Sequence, residues 1–207
     1  MNPAKATGDA VTGGAPAGGG APGLAGGAPV GGGALGGGGD GALADAVEVG
    51  SARWTWHREP RGGLAVMFDL DGVLSNAASR QHFLKGPRPD WEAFFAASGD
   101  DPVIDEVAVL LGLLGTDLGI VLLTARPTRI RSQTIGWLGR HNIRWDLLVM
   151  RRDGDYRPAR NFKQAAVRDI RKSGFEVRLC LEDDVRNVEM FRAEGVPCLY
   201  IHSGYYE

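Results

Sequence analysis

The chain has almost no cysteine, no long apolar run and little net charge, and the first two absences each exclude a class of protein. Two cysteines in 207 residues, Cys180 and Cys198, cannot staple a small secreted scaffold. Both fall inside apolar runs that read as buried strands, so they are expected as reduced core thiols. No apolar run approaches the ~18 residues of a membrane span. The N-terminus has a lone Lys5 and then Ala, Gly and Pro rather than an apolar stretch, so no secretory leader is read there. The expectation is a cytoplasmic protein that does not engage a membrane. A formal net charge of −2 says nothing, as an average, about partners. Large apolar residues are missing only locally. Residues 1–50 are dominated by Gly, Ala and Pro and hold more than half of the 32 glycines. Such a segment cannot bury enough surface to offset the entropy of ordering, so it is expected to be a disordered tail. Within it, Gly31-Gly32-Gly33-Ala34-Leu35-Gly36 matches a dinucleotide-binding spacing, but no strand precedes it and the match is set aside. Residues 51–207 have the length of one α/β domain, and 43% apolar content over the chain suffices for a core.

The most informative stretch is Phe68-Asp69-Leu70-Asp71-Gly72-Val73-Leu74. It follows Leu64-Ala65-Val66-Met67, a short continuous apolar run that reads as a buried parallel strand. The strand delivers Asp69 and Asp71 to its C-terminal end. On a regular strand these two would face opposite ways, but Gly72 lets the chain turn, so both can approach one point. Neighbouring carboxylates repel unless a cation or a shared proton relieves them. The pattern therefore suggests a hard, oxygen-preferring ion such as Mg2+ and a carboxylate free to act as nucleophile.

Trp54, Trp56 and His57 form a lead-in expected to cover an edge of the core. Ser75 to Asp101 reads as an insertion of two or three short helical turns leaving the chain beside the carboxylates, placed to fold over them as a small lid, with His82 a candidate for its rim. Asp101-Pro102 has the form of a helix start, Asp capping and Pro first, followed by Val103, Val107, Leu110, Leu111 and Leu114 on one face. A second strand, Gly119 to Thr124, ends in Thr124-Ala125-Arg126, and Pro127 is expected to open the next helix. A third strand spans 146–150, a helix about 161–172, a fourth strand 177–181 ending in Glu182-Asp183-Asp184, a helix through Val185, Val188 and Phe191, and a last strand 197–202. Five alternations of strand and helix predict a doubly wound, Rossmann-like α/β fold with a five-stranded parallel sheet and a small insertion after the first strand. Ligands of such sheets sit at the carboxyl ends of the strands, where Asp69, Asp71, Thr124, Arg126, Glu182 and Asp183 all lie.

In this order the motifs resemble the haloacid dehalogenase (HAD) superfamily of phosphotransferases: Asp69-Leu70-Asp71-Gly72-Val73, the strand ending in Thr124, Lys163 near a helix start, and Glu182-Asp183-Asp184. The resemblance covers roughly residues 64 to 203. It implies that Asp69 is the nucleophile toward phosphorus and Asp71 the general acid and then base. Thr124 would bond a phosphoryl oxygen, and Lys163 would neutralise charge on that group and on Asp69. Glu182 and Asp183 would hold Mg2+ with the Asp69 carboxylate and the Asp71 backbone carbonyl. The second aspartate is the mark of the phosphatase branch.

A narrower resemblance lies in the C-terminal third. Leu181-Glu182-Asp183-Asp184, Asn187 to Arg192, Gly195-Val196, Cys198 and Ser203-Gly204 are similar to the phosphatase half of phage polynucleotide kinase-phosphatases. Thr124-Ala125-Arg126 and Asp155-Tyr156-Arg157 have counterparts there as well. It implies removal of a 3′-phosphate from nucleic-acid ends, with Ala125, Arg126 and Arg157 contacting substrate. No Gly-x-x-x-x-Gly-Lys-Ser/Thr loop of a kinase half is present. Thirteen basic against four acidic residues between Arg126 and Lys172 form a band that suits a polyanion, although exposed arginines are usually only solvated helix faces. Three readings follow: a phosphatase of nucleic-acid ends, a phosphatase of mononucleotides or other small phosphoesters, and a binding protein that keeps the fold without turnover. The partner in the first two is a phosphorylated substrate, and no obligate protein partner is inferred.

Overall fold

The computed structural model describes residues 53–57 and 62–206. The stretch 1–50 expected as a tail lies outside them. Eleven elements follow in order: β1 Trp54–Trp56, β2 Gly63–Phe68, α1 Trp91–Ala96, α2 Asp105–Leu113, β3 Gly119–Pro127, α3 Arg131–Arg140, β4 Leu147–Arg151, α4 Ala159–Lys172, β5 Phe175–Glu182, α5 Val185–Ala193 and β6 Cys198–Tyr200. The sheet order is β1-β4-β3-β2-β5-β6. The parallel part is the five-stranded sheet that the alternation predicts, because each crossover carries a helix back to the start of the next strand.

Strand periodicity decides which helices cover which face. Along β2, β3 and β4, the residues Ala65, Met67, Val121, Leu123, Leu147 and Val149 point to one side and meet Phe162, Ala166, Val167 and Ile170 of α4 and Val188, Met190 and Phe191 of α5. Their neighbours Val66, Phe68, Ile120, Leu122, Leu148 and Met150 point to the other and meet Val107 and Leu111 of α2 and Trp137 and Leu138 of α3. The central strand is β2, with β3 and β4 laid down on one side and β5 and β6 on the other. The winding therefore reverses at the C-terminal end of β2, which opens the crevice there.

Three sequence expectations change. A sixth strand is present: the lead-in is β1, antiparallel to β4, with Trp54 opposite Val149. Three residues are too few to carry a strand period, but they cover the open edge of β4 and bury Trp54 and Trp56, the latter stacked on Phe175 at 5.8 Å. The helix expected at Asp101 starts instead at Asp105, with Ile104 as cap. An N-cap is worth about 1 kcal/mol, less than the ion pairs that turn the Asp101 carboxylate inward, and Val103 instead pairs with Ser75 in a single bridge. Pro127 ends β3 rather than opening a helix, and a 3-10 turn at Thr128–Ile130 precedes α3. The insertion forms short turns as expected: 3-10 segments at Ala77–Leu84 and Ala97–Asp100 flank α1, which Asp90 caps by accepting from the Ala93 amide at 2.9 Å.

Candidate active site

Strand register assembles the site. Phe68 lies opposite Leu122 of β3 and Leu181 of β5, and the Asp69 amide donates to the Leu181 carbonyl at 3.0 Å. Asp69 thus leaves β2 beside Glu182, the last residue of β5, with Asp183 following. Lys163, near the start of α4, projects between them, its Nζ 2.7 Å from Asp69 Oδ2 and 2.7 Å from Glu182 Oε2. Carboxylate oxygens of Asp69, Glu182 and Asp183 come within 4.8 Å of one another, and all three residues are buried. Glu182 is held from both sides, its Oε1 accepting from Asn187 Nδ2 at 3.2 Å and the Asp184 amide at 3.3 Å.

The turn after Asp69 separates the two motif aspartates. The Leu70 carbonyl accepts the amides of Val73, Leu74 and Ser75, a tight reversal that requires Gly72 at φ +82°. A methyl group on Gly72 would sit 1.9 Å from Asp183 Oδ2, so glycine also lets the turn press against the acid cluster. Asp71 is carried away from Asp69 toward two arginines. Its Oδ1 accepts from Arg126 Nε at 3.0 Å, from Arg126 Nη2 at 2.6 Å and from Arg80 Nη2. The motif aspartates therefore do not share one cation; Lys163 serves the first and the arginines the second.

Behind this clamp lies a buried acid that sequence reasoning missed as a site residue. Asp101 accepts from Arg80 Nε at 2.9 Å and Arg80 Nη2 at 2.6 Å, from Ser75 Oγ, and from Arg126 Nη2 at 3.3 Å. Arg80, Asp101 and Arg126 are each at most 2% exposed. Trp137 Nε1 donates to the Asp101 carbonyl at 2.7 Å, tying the cluster to α3. Arg80 and Asp101 stand 21 residues apart with no motif linking them. The one available clue was Asp101 itself, which the capping rule claimed for a helix end.

Electrostatics divides the site. Burial raises the Asp69 carboxyl well above its usual range, a push that Glu182 and Asp183 reinforce and Lys163 opposes. Burial and then Glu182 push Asp183 up to about 7. Burial would lower Lys163, but Asp69 and Glu182 outweigh it and hold the ammonium charged. For Asp71 burial again acts upward, yet Arg126 and Arg80 together bring it below the ordinary carboxylate range. Asp69 Oδ1 and both Asp183 oxygens are buried with no hydrogen bond among the described residues, while Ser203 acts to lower Asp183 against the upward push of burial. Three buried carboxylates facing one ammonium leave negative charge unbalanced. The donor set is all oxygen, which fits a hard divalent cation.

The remaining predicted residues lie at varying distances from this centre. Thr124 is buried toward the end of β3, its Oγ1 accepting from the Arg126 amide at 3.2 Å. Ala125 is half-buried beside it. Arg126 is wholly enclosed, with Nη1 unpartnered. Arg157 is exposed and paired with Asp155 through contacts of 2.9 and 2.6 Å, apart from the Asp69 cluster. That pairing lowers Asp155 to about 2. His82 is exposed and engages the Ser79 carbonyl. The basic band is not one surface. Arg129 pairs with Glu92 and Asp153, Arg168 with Glu194, and Arg140 and Arg144 with backbone carbonyls, while Arg151 ends β4 and Arg152 and Arg157 lie in the loop that follows it.

Comparison with known proteins gives the family of the chain. Residues 63–206 match the model of the polynucleotide kinase PNKP phosphatase domain. A chain in the structure of the Pnkp1/Rnl/Hen1 RNA repair complex superposes with a TM-score of 0.57 at 28% identity, over 67% of this chain and 42% of that one. A second chain, from the Pnkp1/Rnl/Hen1 complex, gives 0.57 at 29% identity, over 67% and 46%. The chain thus spans less than half the length of either of these two solved chains. A haloacid dehalogenase-like hydrolase from Streptococcus pneumoniae superposes more loosely, with a TM-score of 0.49 at 16% identity over 69% and 86% of the two chains, and adds nothing to the assignment. No curated protein matches. Among the described residues no helix is long and apolar enough to cross a membrane. The family match, over the α/β fold described above, places the chain among the phosphatase domains of the HAD superfamily. Within it, the chain belongs to the family of the polynucleotide kinase PNKP phosphatase domain.

Proposed function

We propose that the chain is a cytoplasmic, Mg2+-dependent phosphomonoesterase that removes the 3′-phosphate from nucleic-acid ends through an aspartyl-phosphate. The observation that carries this reading is the asymmetry of Asp69: Lys163 holds Oδ2, while Oδ1 is buried without a partner. A carboxylate oriented through one oxygen and making no hydrogen bond with the other keeps that second oxygen uncommitted, which suits in-line attack on phosphorus. In the first step the Asp69–phosphorus bond forms, the ester bond breaks, and Asp71 gives its proton to the departing oxygen. In the second, Asp71 takes a proton from the water that attacks the acyl phosphate, releasing inorganic phosphate and restoring Asp69. Thr124 and Lys163 stabilise the transferring oxygens. Asp69, Glu182 and Asp183, with the Asp71 main-chain carbonyl, would hold Mg2+, which supplies positive charge beside the phosphoryl group.

Arg126 enters this scheme at the scissile phosphoryl rather than along a strand, because its side chain is enclosed and bonded to Asp71. An incoming phosphoryl group competes for Arg126 and Arg80, and as they turn toward it Asp71 gains the proton affinity that an acid needs. Ala125, small and half-buried, leaves room beside Thr124, and Arg157 holds substrate beyond the scissile group. Nucleic acid is favoured by the matched family and by the RNA repair complex in which the similar chains stand. Small phosphoesters are the competing reading, supported by the dispersal of the basic band into ion pairs.

Phosphate release measured across 3′-phosphorylated oligonucleotides, 5′-phosphorylated oligonucleotides and 3′-mononucleotides decides between them. The expected order has the 3′-phosphorylated oligonucleotide first. Equal specificity constants for it and the mononucleotide, without salt dependence, would establish the small-phosphoester reading instead.

A further inference from the structure

Cys180 and Cys198 are the two cysteines of the chain, and the fold sets them side by side. They are partners in the register of β5 and β6, which run parallel, and both side chains turn to the face that α4 and α5 cover. Each thiol is free, buried and in interaction with the other. Adjacent strands lie about 4.8 Å apart, inside the roughly 4.4–6.8 Å that a disulfide spans between Cα atoms. The proposed phosphoryl chemistry leaves both thiols idle.

The pair also has a path to the reaction centre. Cys180 lies on β5 just before Glu182, the last residue of that strand. Among the described residues β6 is a three-residue edge strand paired with β5, whereas β5 is also paired with the central β2. A disulfide draws its Cβ atoms to about 3.8 Å, roughly 1 Å closer than the strand spacing, and β6 is the strand freer to move. Beyond Cys198 the Ile201 amide donates to the Glu182 carbonyl at 2.9 Å. Ser203 acts on Asp183 and packs so near the motif turn that a methyl on Gly72 would come 3.0 Å from Ser203 Cβ. A shift of β6 therefore reaches two of the three clustered acids.

We infer that Cys180 and Cys198 are a reversible redox switch, which a hydroperoxide closes into a cross-strand disulfide that draws on β6 and lowers turnover at the Asp69 centre. Cys198 is the less enclosed of the two, 6% exposed against 1%, and sits on the edge strand, so it meets the oxidant first. Its sulfur takes one oxygen as the O–O bond breaks, giving a sulfenic acid and releasing water or an alcohol. The Cys180 sulfur then attacks the Cys198 sulfur, the S–O bond breaks, and the hydroxyl leaves as water with the Cys180 proton. Two thiols have lost two electrons and the hydroperoxide has gained them. A thiol reductant reopens the pair by exchange. The effect on turnover rests on the proposed role of Glu182 and Asp183, while the disulfide itself does not.

The test treats the full chain and its Cys198→Ser and Cys180→Ala variants with hydrogen peroxide, then reads thiol alkylation and peptide mass alongside aryl-phosphate turnover. The parent should yield a Cys180–Cys198 peptide pair lighter by two hydrogens, within one chain, and turnover should fall ~10–10²-fold, as a displacement of about 1 Å can cause. Dithiothreitol should restore both thiols and the activity. Either variant should keep the turnover of the reduced parent and resist the oxidant. Thiols that stay fully alkylatable, or that join two chains instead, would overturn the switch. So would a disulfide formed with turnover unchanged, or an equal loss of turnover in the variants. A reduced parent that releases no phosphate overturns the proposed function and the control of turnover with it, and the disulfide, read by mass, is then judged on its own.

Discussion

Asp101→Asn is the most informative single substitution, because it removes charge from the centre of the arginine clamp with almost no change of shape. Asp101 and Ser75 stand behind Arg80 and Arg126, and Asp101 receives three Arg80 contacts between 2.6 and 3.0 Å as well as Arg126 at 3.3 Å. The asparagine would leave two enclosed guanidiniums to share Asp71 alone, and its amide group would face donors where the carboxylate accepted. Breaking a buried pair from one side costs about 3–5 kcal/mol. For a domain of this size each kcal/mol lowers the melting temperature by roughly 2–4 °C, so the expected fall is ~6–20 °C. Turnover should fall too, since arginines released from Asp101 hold Asp71 more firmly in its ionised form. Calorimetry and aryl-phosphate turnover measure the two effects, with Asp100→Asn, an exposed neighbour, as the control that should change neither. An Asp101→Asn protein melting within ~2 °C of the parent with unaltered turnover would show that the clamp needs no acid behind it.

Further expectations concern the reacting groups, the cation, the turn and the N-terminal stretch. Asp69→Asn should fold and lose essentially all turnover, and Asp71→Asn should slow it ~10²–10⁴-fold; near-normal turnover of the first would end the covalent scheme. Chelation should abolish activity and Mg2+ restore it, and the thermal response should depend on pH. Asp69 and Asp183 have raised folded-state pKa values, so in the metal-free protein their contribution to stability is fully present below the ordinary carboxylate range and is lost as pH rises through about 7. Mg2+ should therefore raise the melting temperature more at pH 8 than at pH 5, and equal shifts would contradict the assignment. Gly72→Ala should lose activity, because the turn needs φ +82° and the methyl would fall 1.9 Å from Asp183 Oδ2; full activity would mean the turn can retreat from the acid cluster. A chain beginning at Ser51 should melt and turn over as the full chain does, and a large loss of stability would refute the reading of residues 1–50 as a tail.

By itself the sequence determined the parallel sheet, the motif order and the set of acids at the strand ends. Those properties are local or periodic: the continuous apolar runs at 64–67, 119–123 and 147–150, Gly72 after two aspartates, and Glu182-Asp183 after an apolar strand are visible in a short window. Only the tertiary structure decided how charge is shared among them. Asp69 and Asp71 look equivalent in the chain, yet one meets Lys163 and the acid cluster and the other meets Arg80 and Arg126. Asp101 looked like a helix cap because capping is judged from neighbours in sequence, whereas its partners come from 21 to 26 residues away. The basic band likewise dissolved once the helices were placed, with Arg129 and Arg168 paired to acids and Arg140 and Arg144 to backbone carbonyls. Spacing along a chain records which groups are present, but ion pairing depends on distance and burial, and these follow from how the helices pack on the sheet.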